Sequence, residues 1–335
     1  MTRATRAAVM GTGSWGTAFA ATLADAGTTV TMWGRRPESV EQVNAGCNTD
    51  YLPDLQLPDT IRATTDPAQA LDGADVVVLA VPSQTLREHL GQWASFLPGG
   101  AAVVSLMKGV ELGTNLRMSQ VIAEVGGVAE ERIVVLSGPN LAREIAGKQP
   151  AASVVACVDH DTADRVAAAC ATDYFRPYTE TDVVGTELGG AVKNVVALSV
   201  GMAEGMGMGD NTKATLITRG LAETARLGAR LGAQPVTFMG LAGVGDLIAT
   251  CMSPLSRNRT FGENLGKGLT VEQTVALTRQ LAEGVKSCHS VRDLAAVHDV
   301  EMPITDAVVA VIVGERTPRE VVSMLMTRSR KHERH

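Results

Sequence analysis

The sequence predicts an α/β chain in two parts, a doubly wound parallel sheet followed by an all-helical C-terminal domain. Three observations carry that expectation. Residues 7–36 read as a short apolar strand, a glycine loop, a helix and a second strand. Further apolar runs at 75–81, 102–106 and 133–136 each stop at a turn, as strands buried on both faces do. Beyond about Gly185 strand-like runs vanish and long helical patterns take over. The expected division is a dinucleotide-binding domain over residues 1–184 and a helical substrate domain over 185–335.

The first unit names a ligand class. Ala7-Ala8-Val9-Met10 is the strand, Gly11-Thr12-Gly13-Ser14-Trp15-Gly16 the loop, and Thr17 to Ala24 a good helix former that Gly27 stops. Gly11 allows the tight turn, Gly13 lets backbone approach a pyrophosphate, and Gly16 lets helix pack on strand. The helix N-terminus then faces the anion with unbonded N–H groups. A Gly-x-Gly-x-x-Gly run alone is weak; with these flanks it reads as a Rossmann-type cofactor loop.

The second strand, Thr28 to Trp33, bears on the choice of cofactor. A site that prefers NAD places an acid about 20 residues past the loop, against the ribose 2′-hydroxyl. Here no acid occurs until Glu38, and Arg35 and Arg36 come first. They suit a 2′-phosphate, so NADPH is favoured with NADH also accepted; the alternative is two solvated arginines.

Later strands are expected at 153–157 and 174–176. Helices are expected at 186–207, 212–231, 235–249, 270–284, 287–298 and 305–313. The polar residues of interest sit at the C-terminal ends of strands, where open parallel sheets bind ligands. Lys108 follows the run at 102–106, and Gly138 follows that at 133–136.

Composition narrows the class. The net charge is −6, with no basic stripe interleaved with aromatics, which argues against a nucleic-acid partner. The basic stretch at 328–335 reads as a solvated tail. The 5 cysteines, at 47, 157, 170, 251 and 288, have neither metal-ligand nor redox spacing. Reduced thiols, a cytoplasmic location and no metal are expected. The N-terminus runs almost directly into the first strand, leaving no room for a signal peptide. No uninterrupted apolar run approaches the ~18 residues of a membrane span. The stretch 188–206 is broken by Lys193, Asn194 and Glu204.

Three segments of the helical half bear chemistry. Thr186-Glu187-Leu188-Gly189-Gly190-Ala191-Val192-Lys193-Asn194 sets two glycines and a lysine in an apolar helix. Each mid-helix glycine costs about 1 kcal/mol relative to alanine, so close approach of another group is the expected reason. Gly190 should leave open space beside the Lys193 amine. Lys193 is then either a desolvated acid–base group of lowered pKa or a lysine that snorkels to the surface. Asp246 follows the loop Gly243-Val244-Gly245 and reads as an orienting carboxylate or as a helix N-cap. Ser256-Arg257-Asn258-Arg259, after Pro254, reads as a phosphate cradle at a helix N-terminus or as a capped helix with solvated arginines.

Taken in order, GTGSWGTA, AVPS, MKG, SGPN, ELGGAVKN, TRG, GVGDL, SRNR and Glu283-Gly284 resemble the bacterial NAD(P)-dependent glycerol-3-phosphate dehydrogenase family, from about residue 8 to about 330. The resemblance implies reversible reduction of dihydroxyacetone phosphate to sn-glycerol 3-phosphate, feeding glycerophospholipid synthesis, by a homodimer without a metal. It implies Lys193 as catalytic acid–base, with Lys108 and Asp246 beside it. Gly138, Ser256, Arg257 and Asn258 would complete the substrate site. Ser14, Trp15, Arg35, Arg36, Lys108, Ala142, Arg257, Leu281 and Glu283 would contact the cofactor, with the loop glycines. Asn140 departs from the Ser or Thr associated with its position, and no substrate contact is assigned to it. Leu281 stands where valine is expected. Rival readings are another two-domain reductase, of 6-phosphogluconate or ketopantoate type, a nucleotide-sugar dehydrogenase using Cys251 as nucleophile, and a non-catalytic NADPH sensor.

Overall fold

In a computed structural model, which describes residues 5–278, 282–327 and 329, the first half alternates strands and helices. In chain order these are β1 Arg6–Met10, α1 Ser14–Asp25, β2 Thr29–Trp33, α2 Pro37–Asn44, β3 Ile61–Thr64, α3 Pro67–Leu71 and β4 Val76–Leu79. There follow α4 Leu86–Trp93, β5 Ala102–Ser105, α5 Met118–Gly126, β6 Ile133–Ser137, α6 Ala142–Ala146, β7 Ala151–Ala156, α7 His160–Cys170 and β8 Phe175–Glu180. The 8 strands form one sheet in the order β3-β2-β1-β4-β5-β6-β7-β8. Its first six positions follow the dinucleotide-binding order 3-2-1-4-5-6.

Strand alternation divides the core. Val9, Val76, Val78, Ala102 and Val104 point to one face and pack with Phe19, Leu23 and Phe175. Ala8, Met10, Val77, Leu79 and Val103 point to the other and pack with Leu86, Leu90 and Trp93. Both faces are covered, which is why these strands are continuous apolar runs.

The sheet departs from the expected all-parallel form at one place, since β6 and β7 pair antiparallel. The chain between them contains only the 5-residue α6. Such a helix rises about 7.5 Å, while a six-residue strand runs about 20 Å. The chain therefore does not return to the far end of the sheet, and β7 starts where β6 stops. The longer α7 does make that return, and β8 is parallel to β7.

The second half is helical: α8 Val183–Gly205, α9 Asp210–Arg230, α10 Asp246–Met252, α11 Arg257–Gly266, α12 Val271–Thr278, α13 Glu283–Val297, α14 Pro303–Ile312 and α15 Pro318–Met326. Its core gathers Leu188, Val192, Val195, Val196, Leu198, Leu227, Phe261, Val291 and Val308 around α8. Asp182 caps α8 through Gly185 N–H and also accepts from Gln234 N–H and Thr237 Oγ1, tying the helix start to the turn before α10. Among the described residues α8 is the one helix long and apolar enough to span a bilayer, and 89 % of its most apolar window is buried inside the protein.

Several expected elements are corrected. Residues 235–249 are not one helix: a 3-10 turn at Pro235–Met239 and a π turn at Leu241–Gly245 precede α10. Gly240, Gly243 and Gly245 make a regular helix costly there, each by about 1 kcal/mol. The expected helix at 270–284 comprises α12 and the start of α13, with 279–281 outside the described residues. Strand β3 and helix α15 add to the expected set; β3 is a four-residue sheet edge whose Arg62 is exposed, so it lacks an apolar run.

Candidate active site

The loop between β1 and α1 has the geometry its glycines require. Gly11 has φ of 138°, and a Cβ there would lie 2.5 Å from the carbonyl oxygen of Ala80. Only glycine fits both the angle and the space. Gly13 caps α1 with nothing within 4 Å of where a Cβ would stand. That gap lies at the N-terminus of α1, beside Ser14 and Trp15, whose backbone N–H groups have no partner within the helix. A pyrophosphate fits this cradle by charge and by space. Gly16 is closed by Gly11 and Ala80, locking the helix onto the strand ends. Arg35 is exposed beyond β2, and Arg36 pairs with Asp50 at 3.0 Å, a partner sequence reasoning missed. Ala142 begins α6. Leu281 lies outside the described residues.

Three distant residues converge where the sheet ends meet the helices. Lys108 lies past the end of β5 and Lys193 lies mid-way along α8. Asp246 is the first residue of α10, after the cap Gly245, so its carboxylate is not an N-cap. It is 1 % exposed and receives both amines. Lys108 Nζ donates to Asp246 Oδ2 at 2.6 Å and to the carbonyl oxygen of Gly138 at 2.9 Å. Lys193 Nζ donates to Asp246 Oδ1 and, at 2.8 Å, to Thr250 Oγ1. Thr250 lies one turn after Asp246 on α10, a spacing visible in the sequence once Asp246 is placed on a helix.

Burial pushes the Lys193 ammonium down to about 7. Asp246 opposes that effect, and Lys108 adds to it. The amine is therefore desolvated within the protein rather than snorkelling to the surface.

The two glycines of α8 admit close approach, as expected, but not the expected open space. A Cβ on Gly190 would stand 2.7 Å from Ser137 Oγ and 3.3 Å from Lys108 Cγ, and one on Gly189 would strike the carbonyl oxygen of Ala242. Neither leaves a void beside Lys193: they form notches that admit the end of β6, the Lys108 stem and the π turn. Asn194, not singled out from sequence, donates from Nδ2 to the Lys108 carbonyl at 3.0 Å.

Behind this centre, Ser256 caps α11 by accepting from Arg259 N–H, and Arg257 begins the helix. The Asn258 amide makes two bonds across the helices. Nδ2 donates to Asn194 Oδ1 and Oδ1 accepts from Gly284 N–H, each at 2.9 Å. Asn258 thus joins α11 to α8 and α13, a role its place in the SRNR run did not signal. Glu283, in the first turn of α13, is raised by burial, against the opposing pull of Ser83, Arg257 and Lys193. Asn140 accepts from Ser153 Oγ. Burial pushes the Cys251 thiol up to about 12, so it is a poor nucleophile and the cysteine-dependent rival loses its reagent.

A family model for the NAD-dependent glycerol-3-phosphate dehydrogenase N-terminus matches residues 6–163, and one for the C-terminus of the same family matches 182–323. The glycerol-3-phosphate dehydrogenase (NAD(P)+) of Streptomyces griseus is 63 % identical over 335 residues, covering 100 % of both chains. That of Thermobifida fusca is 61 % identical over 333 residues, covering 99 % of both. The crystal structure of glycerol-3-phosphate dehydrogenase from Coxiella burnetii superposes with TM-score 0.92 at 34 % identity, covering 97 % of this chain and 99 % of that one. A ketopantoate reductase from Ralstonia eutropha shares the fold at TM-score 0.60 and 16 % identity. The chain belongs to the NAD-dependent glycerol-3-phosphate dehydrogenase family.

Proposed function

We propose that the chain reversibly reduces dihydroxyacetone phosphate to sn-glycerol 3-phosphate with NAD(P)H, using Lys193 as its acid–base group. The convergence of Lys108 and Lys193 on the buried Asp246, in a chain that also carries a dinucleotide loop, supports this reading. When bound, the reduced nicotinamide supplies the hydride. In the reductive direction Lys193 Nζ donates a proton to the oxygen that becomes the secondary hydroxyl. In the oxidative direction the neutral amine removes it. Lys108, anchored to Gly138 and Asp246, supplies positive potential to the same oxygen as charge develops there. Asp246 fixes both amines and keeps Lys193 from losing its proton too early.

The phosphate is assigned to the start of α11, with Ser256, the Arg257 guanidinium and Asn258, whose side-chain NH2 keeps a second hydrogen beyond its bond to Asn194. Binding energy at that remote group orients the carbonyl at Lys193. Arg257→Ala is expected to raise the KM for dihydroxyacetone phosphate about 10- to 100-fold, by loss of a charge-assisted contact worth about 1.5–3 kcal/mol. Steady-state kinetics check it, and an unchanged KM would place the phosphate elsewhere.

Ser14, Trp15, Ala142, Glu283 and Leu281 are assigned to the cofactor with the loop glycines. Arg35 and Arg36 are assigned to the 2′-phosphate of NADPH, which takes the place Asp50 holds at Arg36. The decisive assay follows oxidation of NADPH and of NADH with dihydroxyacetone phosphate. Turnover with both and a higher kcat/KM for NADPH is expected, and absence of turnover with either would refute the assignment. The remaining proposals are a division near residue 185, a homodimer, a cytoplasmic location and supply of glycerophospholipid synthesis. They rest on the resemblance and on the change from sheet to helices after Glu180.

A further inference from the structure

We propose that Glu187 is a positioning residue of the active site: it clamps the loop that carries Lys108 onto α8 and so sets where Lys108 stands relative to Lys193. The proposal rests on the reading of Lys108 and Lys193 given above.

Glu187 lies on α8 six residues before Lys193 and is 7 % exposed. Its carboxylate takes three donors from the sheet half. Oε1 accepts from Ser119 N–H at 2.8 Å. Oε2 accepts from Ser119 Oγ at 2.6 Å and forms an ion pair with Arg117 Nη1. Arg117 Nη1 also donates to Ser119 Oγ at 2.9 Å, which closes the cluster.

Arg117 in turn governs the Lys108 segment. It pairs antiparallel with Val110, two residues after Lys108, and Glu111 N–H donates to the Leu116 carbonyl at 2.9 Å. Residues 110–117 are therefore a closed loop whose stem lies next to Lys108. Val110 is 1 % exposed and packs in the helical core, not in that of the sheet. Along α8, Glu187, Gly190 and Asn194 lie three and four residues apart, on one stripe. Glu187 holds the loop stem, Gly190 admits the Lys108 stem and Asn194 holds the Lys108 carbonyl. Because Lys193 belongs to the same helix, this stripe fixes the spacing of the two amines. A purely structural stitch would also join the two halves, but it would act no differently with Lys108 absent.

The test is a double-mutant cycle on the full chain, read as NADPH oxidation with dihydroxyacetone phosphate across pH. Glu187→Gln keeps the shape and removes the charge that holds Arg117. It is expected to lower kcat about 10- to 100-fold, the scale of a misplacement of about 1 Å. As Lys108 recedes from Lys193, the pH at which reductive activity falls should move to higher pH. In a Lys108→Met background the same change should add little to either readout. Wild-type kcat and pH profile in Glu187→Gln, or an equal loss with Lys108 already removed, would overturn the proposal. Should Glu187→Gln fold poorly by thermal melting, Arg117→Gln breaks the ion pair from the loop side and carries the same expectations. Wild-type turnover in Lys108→Met alone would instead refute the site reading beneath it.

Discussion

Lys193→Ala is expected to lower kcat for dihydroxyacetone phosphate reduction by about 10²- to 10⁴-fold, the range for loss of a positioned general acid. NADPH affinity should stay as in the wild type. The fold should survive, because Asp246 keeps Lys108 at 2.6 Å and Thr250 at 3.3 Å when the second amine is gone. The pH dependence gives the test a sign. Burial holds the Lys193 ammonium down to about 7, so the proton needed for reduction is lost as pH rises through that value. The neutral amine needed for oxidation appears over the same window. Wild-type reduction should therefore decline, and wild-type oxidation increase, on going from pH 6 to pH 8, about one unit either side of that value. Both limbs should vanish in Lys193→Ala. Undiminished turnover, or a limb near pH 7 that persists in the variant, would remove Lys193 from the chemistry.

Asp246→Asn should damage both stability and activity, for one electrostatic reason. The carboxylate is 1 % exposed and is the shared acceptor of two ammonium groups. With it neutralised, Lys108 loses its counter-charge and the buried Lys193 amine is left without the partner that keeps it protonated. Leaving buried charge unpaired typically costs about 3–5 kcal/mol. Asp246 also opposes the burial that lowers Lys193, so its loss should drive that ammonium below about 7. Once the Lys193 pKa lies well below the ambient pH, each further fall of about one in that pKa removes about nine-tenths of the protonated amine, and reduction at neutral pH falls about tenfold with it. Urea unfolding and the reductive pH profile read the two effects separately. Adding Lys108→Met should restore much of the stability without restoring turnover, because it removes the unpaired cation but not the need for Lys108. A pH limb left where the wild type has it would show that Asp246 does not tune Lys193.

Much of the fold is legible residue by residue. The strand–loop–helix at 6–25 is local, since Gly11, Gly13 and Gly16 answer constraints set within a few residues or by the adjacent strand. Strands buried on both faces announce themselves as apolar runs, and β3, half exposed at a sheet edge, does not. The reversal of β7 depends on the short reach of α6, a matter of length rather than pattern. The glycines at 189 and 190 signal close approach, but the approaching groups, Ser137 and Ala242, lie more than 50 residues away in either direction.

The candidate site divides in the same way. A lysine in an apolar helix, an acid after a glycine loop and a capped Ser-Arg-Asn run are patterns of residue type, and residue type limits the available chemistry to proton transfer and anion binding. Which groups meet is another matter. Lys108 and Asp246 are 138 residues apart, and Lys193 and Asp246 are 53 apart. Asn258 reads as a phosphate ligand, and only the fold shows its amide joining α8 to α13; Glu187 reads as part of a motif until Arg117 and Ser119 are seen on it. Amino-acid sequence alone settles the dinucleotide loop, the strands of the sheet core and the helical character of the second half, because each is written in short-range periodicity and backbone freedom. The juxtaposition of two amines on one buried carboxylate belongs to the packing of α8 against the sheet ends, since charges are brought together out of water only when the whole chain has folded around them.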